Sequence, residues 1–327
     1  MRTALICLLS PLSLWAAHAM AAPDAALREL EVAAWNVNTG ARQKLEARAA
    51  QGDAAAAESL VQTILVTNAA TPEGRVALEK WIPLSLASKT GRAYRMAGVC
   101  YEMGLGVEKS GPKALELYAQ ALPLLGMAAA DGDTEAMRHL GKVNEMGNGT
   151  PKNPAKAFEW YQQAAQAGSQ LGIYEVGACY QKGVGVEKNL ATALQWFQKA
   201  AGLGSARAQC EVGGIIGGGH AGAPEDPAAA LRWFMMSAAQ GYPEGQFKYA
   251  LALLGGVGTE ANVAEGVNWL QQAAGQGNAG AQFVLGTCFE QGKGVARNPE
   301  VALGFYKASA AQGFEKAKER LAKLGEK

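Results

Sequence analysis

An all-α superhelical solenoid of about seven helix-turn-helix repeats is predicted by one long period, one short period and a recurring turn. Tryptophan or an apolar stand-in recurs at Trp81, Leu117, Trp160, Trp196, Trp233, Trp269 and Phe305, at intervals of 36, 43, 36, 37, 36 and 36 residues. Within an interval, apolar residues follow helical spacing twice, and a glycine-rich turn parts the two stretches. A period of this length marks one unit copied along the chain, each copy too small to bury its apolar face alone and so stacked on its neighbours.

The elements follow in order. Residues 1–21 hold one charge, Arg2, then an apolar run from Ala4 to Ala17 and small residues at Ala17-His18-Ala19 and Ala19-Met20-Ala21. This reads as a cleaved secretory signal peptide, too short for a membrane span. Cys7 follows Leu5-Ile6, without the small residues that precede a lipidated cysteine. Loss of Arg2 from the 30 basic residues balances them against the 29 acidic ones, and the mature chain carries no basic block. Nucleic acid and anionic lipid are therefore poor partners, and no membrane insertion is expected after cleavage. Residues 22–52 are expected to form N-terminal capping helices, 53–313 the repeats and 314–327 a C-terminal cap, with Phe314, Ala317, Leu321 and Leu324 on one stripe.

Ser169 to Gly204 serves as the template repeat. Tyr174, Val176, Gly177 and Tyr180 define a first helix, and Ala193, Leu194, Trp196, Phe197 and Ala200 a second. Between them, Gly183 and Gly185 suit positive φ and Asn189 suits an N-cap, while Gly204 ends the second helix. Gly177 is mid-helix, where glycine costs about 1 kcal/mol, so a close crossing by Trp196 or its equivalent is expected there. Gly98, Gly141, Gly213 and Gly286 recur at that slot, with Ala250 in the sixth copy. The first copy, 53–89, lacks the glycine turn, as terminal repeats often do. The second has seven extra residues around Ala119 to Ala130, with Pro123 among them, so its second helix is expected to be prolonged or kinked. In the fifth, Gly217 to Gly222 replace the short turn.

The pattern Leu-Gly-x-x-Tyr-x-x-Gly-x-Gly-Val, then Lys-Ala-x-x-Trp-Tyr-x-x-Ala-Ala, resembles the Sel1-like repeat, a relative of the tetratricopeptide repeat. It is carried by Leu285-Gly286, Phe289, Gly292, Gly294 and Val295, by Ala157, Trp160 and Tyr161, and by Trp196-Phe197 and Ala200-Ala201. The resemblance implies a right-handed α/α superhelix that binds proteins on its concave face, lined by the first helix of each pair. Exported members of this layout resemble periplasmic immunity proteins that neutralise phospholipase-type effectors of type VI secretion. The alternative is an envelope scaffold or adaptor for a multiprotein assembly, such as polysaccharide export or signalling.

Three slots of the first helix are assigned to the concave face: two before the Leu, one after the Gly and one after the Tyr. They hold Arg95, Val99 and Glu102; Arg138, Lys142 and Glu145; Tyr174, Ala178 and Gln181; Cys210, Gly214 and Gly217; Phe247, Leu251 and Leu254; Phe283, Thr287 and Glu290. With Arg92 and Glu135 nearby, the N-terminal half of the face is charged, whereas Tyr174, Phe247, Leu251 and Phe283 put large apolar groups on it, with Tyr174, Phe247 and Phe283 as partner anchors and Arg95, Arg138 and Glu145 setting register.

Catalytic, cofactor and metal sites are not expected. His139 precedes Leu140 and is expected at or near the surface, and His220 in its glycine-rich turn has no Asp or Cys partner. The Gly-x-Gly turns follow helices rather than strands and recur in successive copies, so they are repeat turns and not nucleotide loops. No Cys-x-x-Cys or two-histidine metal pattern occurs. Cys100, Cys179 and Cys288 share one slot of separate repeats and are expected to pack as small apolar residues, leaving Cys179 and Cys210 as the one pair worth testing for a disulfide.

Overall fold

The computed structural model describes residues 39–67, 69, 71–219 and 225–325. The segment 1–21 expected as a signal peptide, residues 22–38 of the expected N-terminal cap and His220 lie outside the described residues. All regular elements described are helices. Helix α1 (Thr39–Ala50) precedes seven pairs. These are α2 (Ala54–Thr67) with α3 (Pro72–Leu86), α4 (Gly91–Met103) with α5 (Gly111–Ala130), and α6 (Thr134–Met146) with α7 (Pro154–Gln166). Next come α8 (Gln170–Lys182) with α9 (Leu190–Gly202), and α10 (Ala206–Gly217) with α11 (Pro227–Ala239). The last pairs are α12 (Pro243–Gly255) with α13 (Val263–Gly275) and α14 (Ala279–Gln291) with α15 (Pro299–Ala311), and α16 (Glu315–Lys323) closes the array. No described helix is long and apolar enough to cross a membrane.

Local chemistry sets these boundaries. Ser169 caps α8 by accepting from the Gly172 N–H at 3.1 Å, and Asn189 caps α9 by accepting from the Thr192 N–H at 3.0 Å. Helix α8 stops at Gly183, whose φ of 76° turns its N–H onto the Cys179 carbonyl. Two residues on, Gly185 has φ of 69°, and a Cβ there would lie 2.1 Å from the Pro154 carbonyl oxygen. The turn thus lies directly on the start of α7, and only glycine permits that approach. Helix α5 runs unbroken for 20 residues with Pro123 inside it, where α7 has 13, so the seven extra residues prolong the helix.

The close crossing at the mid-helix glycine is made by a different residue from the one expected. A Cβ on Gly177 would meet the ring of Phe197 at 2.8 Å, and Phe197 is fully buried while Trp196 is half-buried. Tyr118, Tyr161, Phe234 and Tyr306 stand the same way against Gly98, Gly141, Gly213 and Gly286. The reason is angular: one residue is about 100° of helix, so the side chain after the tryptophan points into the seam between the paired helices. The indole is left covering the rim. Burying a ring such as that of Phe197 contributes roughly 2 kcal/mol.

Across repeats, α2 touches α4, α4 touches α6, α6 touches α8 and α10 touches α12, and no two second helices approach as closely. The first helices therefore line the inner side of the curve. In the C-terminal half a polar ladder ties successive repeats: Gln240 donates to Gln209 at 2.7 Å, Gln276 to Gln246 at 2.7 Å and Gln312 to Gln282 at 2.8 Å.

Candidate protein-binding groove

Five of the residues assigned to the concave face, Ala178 among them, meet around one cavity. Arg95 from α4, Arg138 and Lys142 from α6 and Tyr174 from α8 line an open cavity of about 270 Å³. Gln62, Met96, His139, Glu175, Ala178, Lys182 and Arg207 complete its wall with Leu65 and Val66. Tyr174 packs its ring on Phe197 at 5.4 Å between centroids, and the Arg207 guanidinium lies over the Tyr174 ring, 5.1 Å from its centroid.

A polar network holds this floor. Arg138 pairs with Glu135 at 2.9 Å, and Lys142 bridges Glu145 at 3.1 Å and Glu175 at 2.9 Å. Burial would raise the Glu175 carboxyl, but Lys142, Arg138 and Arg207 outweigh it and hold it below its ordinary value. Glu135 is lowered in the same way, its burial outweighed chiefly by Arg138. Arg95 donates through Nε to His139 Nδ1 at 2.8 Å and through Nη1 to Asn148 Oδ1 at 3.2 Å, two uncharged acceptors. Burial, and then the like charge of Arg138, brings Arg95 down to about 10.

His139 corrects the expectation of a surface residue. It is 1% exposed, with Arg95 at Nδ1 and Arg138 Nη2 3.1 Å from Nε2. Burial first, and then the charges of Arg138, Arg95, Arg92 and Lys142, hold its pKa well below the usual range, so the ring is neutral. Its slot, one before the Leu, faces the inner side as well as the core.

The remaining assigned residues are placed elsewhere. Glu102, Glu145 and Glu290 each accept a hydrogen bond from the buried phenol 16 residues later, Tyr118, Tyr161 and Tyr306, which draws them toward their own repeat's second helix. In α8 the partner ring is Phe197, and Gln181 donates to Glu211 of the next repeat at 2.9 Å instead. Arg92 pairs with the buried Glu58 of α2. Cys210 is buried rather than in the groove. Phe247 is half-buried beside Gly280, Phe283 packs at a tilt between Tyr306 at 5.7 Å and Phe314 at 5.4 Å, and Leu251 is 37% exposed. The aromatic anchors are thus partly engaged by the fold, because the next repeat or the C-terminal cap closes over them.

Sequence reasoning missed Glu175, Arg207, Gln62 and the inward role of His139. The signal was present at the slot before the Leu, which reads His139, Glu175, Glu211 and Lys248 in four successive copies. A core-facing position would not hold four polar residues in a row. Arg207 shares the slot of Arg92 and Glu135.

Cys100, Cys179, Cys210 and Cys288 are buried free thiols, so Cys179 and Cys210 are unpaired. Among the described residues no group of three His, Cys, Asp or Glu side chains is placed to hold a metal ion.

The Sel1 repeat pattern matches residues 92–122, 134–169, 171–205, 206–242, 243–278 and 279–314, well over half of the chain. The chain belongs to the Sel1 repeat family. The matched segments begin within α4 and end just before α16, so the pair α2–α3 lies outside them. None of the curated proteins compared with this Sel1 repeat chain matches it. Among solved structures it is similar to c5321, a protective antigen of uropathogenic Escherichia coli displaying an SLR fold, at 29% identity and a TM-score of 0.52. That alignment covers 86% of this chain, which spans 59% of the length of c5321. A Sel1 repeat protein from Oxalobacter formigenes aligns at 29% identity with a TM-score of 0.54, over 71% of this chain and 91% of that one. Immunity protein Pa5087 from Pseudomonas aeruginosa aligns at 19% identity with a TM-score of 0.48, over 68% and 81% of the two chains, a distance at which it says nothing of this chain's partner.

Proposed function

We propose that this Sel1 repeat protein is a non-catalytic, protein-binding solenoid of the bacterial periplasm, and specifically an immunity protein that binds and occludes a phospholipase-type antibacterial effector. The observation that carries the protein-binding reading is the convergence of Arg95, Arg138, Lys142 and Tyr174, from three successive first helices, on one open cavity of the inner face. Side chains drawn from several repeats onto one concave surface supply the extended contact area that a protein partner needs. The leader pattern at 1–21 supports export. The resemblance of exported members of this layout to immunity proteins supports the effector class.

On this reading the groove lies across the effector's active-site opening and excludes its lipid substrate. Leu251 and Phe247 of α12 and Phe283 of α14 contribute apolar contact, and the charged half sets the register of the docked partner. Protection against a lethal partner calls for nanomolar binding or better, about 12 kcal/mol or more.

The test is capture from an envelope extract of the source organism with the tagged mature chain, residues 22–327, followed by co-expression of what is captured. The reading expects one stoichiometric lipase-like protein that survives a high-salt wash, and growth restored when the solenoid is co-expressed with it. Several substoichiometric envelope proteins would instead make this chain a scaffold.

A further inference from the structure

The cavity is short of negative charge. Five cations line it, Arg95, Arg138, Lys142, Lys182 and Arg207, against one carboxylate, Glu175. With the Glu135 and Glu145 carboxylates that pair with Arg138 and Lys142 included, cations still exceed carboxylates by two. Arg138 and Lys142 are ion-paired and Arg207 lies over the Tyr174 ring, whereas Arg95 and Lys182 line the cavity without a carboxylate partner among the described residues. Arg95 is satisfied only by the neutral His139 and Asn148, and Lys182 stands exposed at the end of α8.

His139 adds an independent sign. Both of its ring nitrogens face guanidinium groups, which only donate, yet a neutral imidazole has one acceptor nitrogen and one N–H. One of the two contacts therefore sets donor against donor. An acceptor carrying negative charge, placed beside Arg95 and Arg138, relieves that arrangement. Apart from Gln62, the remaining wall is apolar, made by Leu65, Val66, Met96, Ala178 and the Tyr174 ring, which suits the methylene stem of an acidic side chain better than a bare inorganic ion.

We propose that this cavity receives the carboxylate of an aspartate or glutamate presented by the bound protein partner, with Arg95 and Lys182 taking its charge and Tyr174 and Met96 holding its stem. The inference rests on the reading of the inner face as a protein-binding groove and specifies the chemistry of what docks there. Glu175 does not compete for the site, because Lys142 already holds it at 2.9 Å. Arg95 supplies the directional fork for a carboxylate and Lys182 a mobile point charge at the rim.

The test needs no natural partner. A blocked tripeptide with a central glutamate, its glutamine counterpart and inorganic phosphate are titrated into the mature chain at low ionic strength, and binding is followed by NMR shifts of the peptide and by calorimetry. The glutamate peptide is expected to bind at least tenfold more tightly than the glutamine peptide and than phosphate. Arg95→Gln should reduce that affinity at least tenfold. Lys182→Glu, at an exposed position that leaves the fold intact, should reduce it at least fivefold. Equal binding of the two peptides, equal binding of phosphate, or affinity unchanged in Lys182→Glu would each overturn the assignment. Such a failure leaves the protein-binding reading standing, because that reading is decided by capture of the partner itself.

Discussion

Gly213 and Gly214 are consecutive in α10, and the structure gives opposite outcomes for the same substitution at the two sites. A Cβ on Gly213 would lie 2.7 Å and 2.9 Å from two ring atoms of Phe234 and 3.2 Å from the Ala230 carbonyl oxygen. Carbon atoms prefer about 3.5–4.0 Å, so α11 must move or the ring must leave its rotamer. Overpacking of this kind costs about 1–3 kcal/mol, and the better helix propensity of alanine returns up to about 1 kcal/mol. Gly213→Ala is therefore expected to destabilise the protein, by up to about 2 kcal/mol once the propensity gain is subtracted in full. Gly214 is exposed and its Cβ would meet nothing within 4 Å, so Gly214→Ala should stabilise by up to about 1 kcal/mol. Urea titrations followed by far-UV circular dichroism place the three proteins in order, with the Gly213→Ala midpoint below the parent and Gly214→Ala above it. A Gly213→Ala midpoint at or above that of the parent would refute the claim that the glycine slot exists to seat the ring of the paired helix.

Further predictions follow from the buried polar groups. His139 is neutral in the fold and its pKa lies below the usual value, so the unfolded chain takes up a proton first as the pH drops. Stability is full above about pH 6.5 and falls by up to about 1.4 kcal/mol per pH unit below it, and His139→Gln should flatten that slope between pH 6.5 and 5. An unchanged slope would place the proton uptake elsewhere. Glu135 and Glu175, whose pKa values are held low, add a second loss as the pH falls below the ordinary carboxylate range. Tyr161→Phe removes the phenol that donates to Glu145 at 2.6 Å and should cost about 1–2 kcal/mol in the same urea assay, with no loss meaning that water replaces the bond freely. Cys100, Cys179, Cys210 and Cys288 should resist Ellman's reagent at pH 7.5 and all react in guanidinium, since burial pushes the Cys100 and Cys179 thiols up to about 12. Rapid labelling of the native protein would show that their repeats open.

The repeat architecture was legible because its signals are local. Cap residues such as Asn189, the turn glycines Gly183 and Gly185 and the 36-residue interval of aromatic residues each report a short stretch of chain, and stacking follows from them. The identity of the residue in the seam was not legible from the interval, since Trp196 and Phe197 recur with the same period and only the helix rotation separates them. The inner face was legible in part. Arg95, Arg138, Lys142 and Tyr174 came from slots counted along one helix, and the structure brings them to one cavity. The bonds that redirect Glu102, Glu145 and Glu290 come from the second helix of the same repeat, and Gln181 is drawn aside by Glu211 of the next. Position along one helix carries no information about those partners. Burial of His139 likewise depends on Arg95, 44 residues away in the preceding repeat.

The central claim is that the inner face formed by the first helices takes a protein partner. It is tested by capturing that partner from the envelope extract with three versions of the mature chain: the parent, a variant with Leu251→Asp and Lys182→Glu on the inner face, and a variant with Gln195→Glu and Lys199→Glu on the exposed side of α9. One stoichiometric partner is expected with the parent, at least tenfold less with the inner-face variant and unchanged capture with the α9 variant. Undiminished capture by the inner-face variant, or its loss with the α9 variant, would show that the partner docks elsewhere.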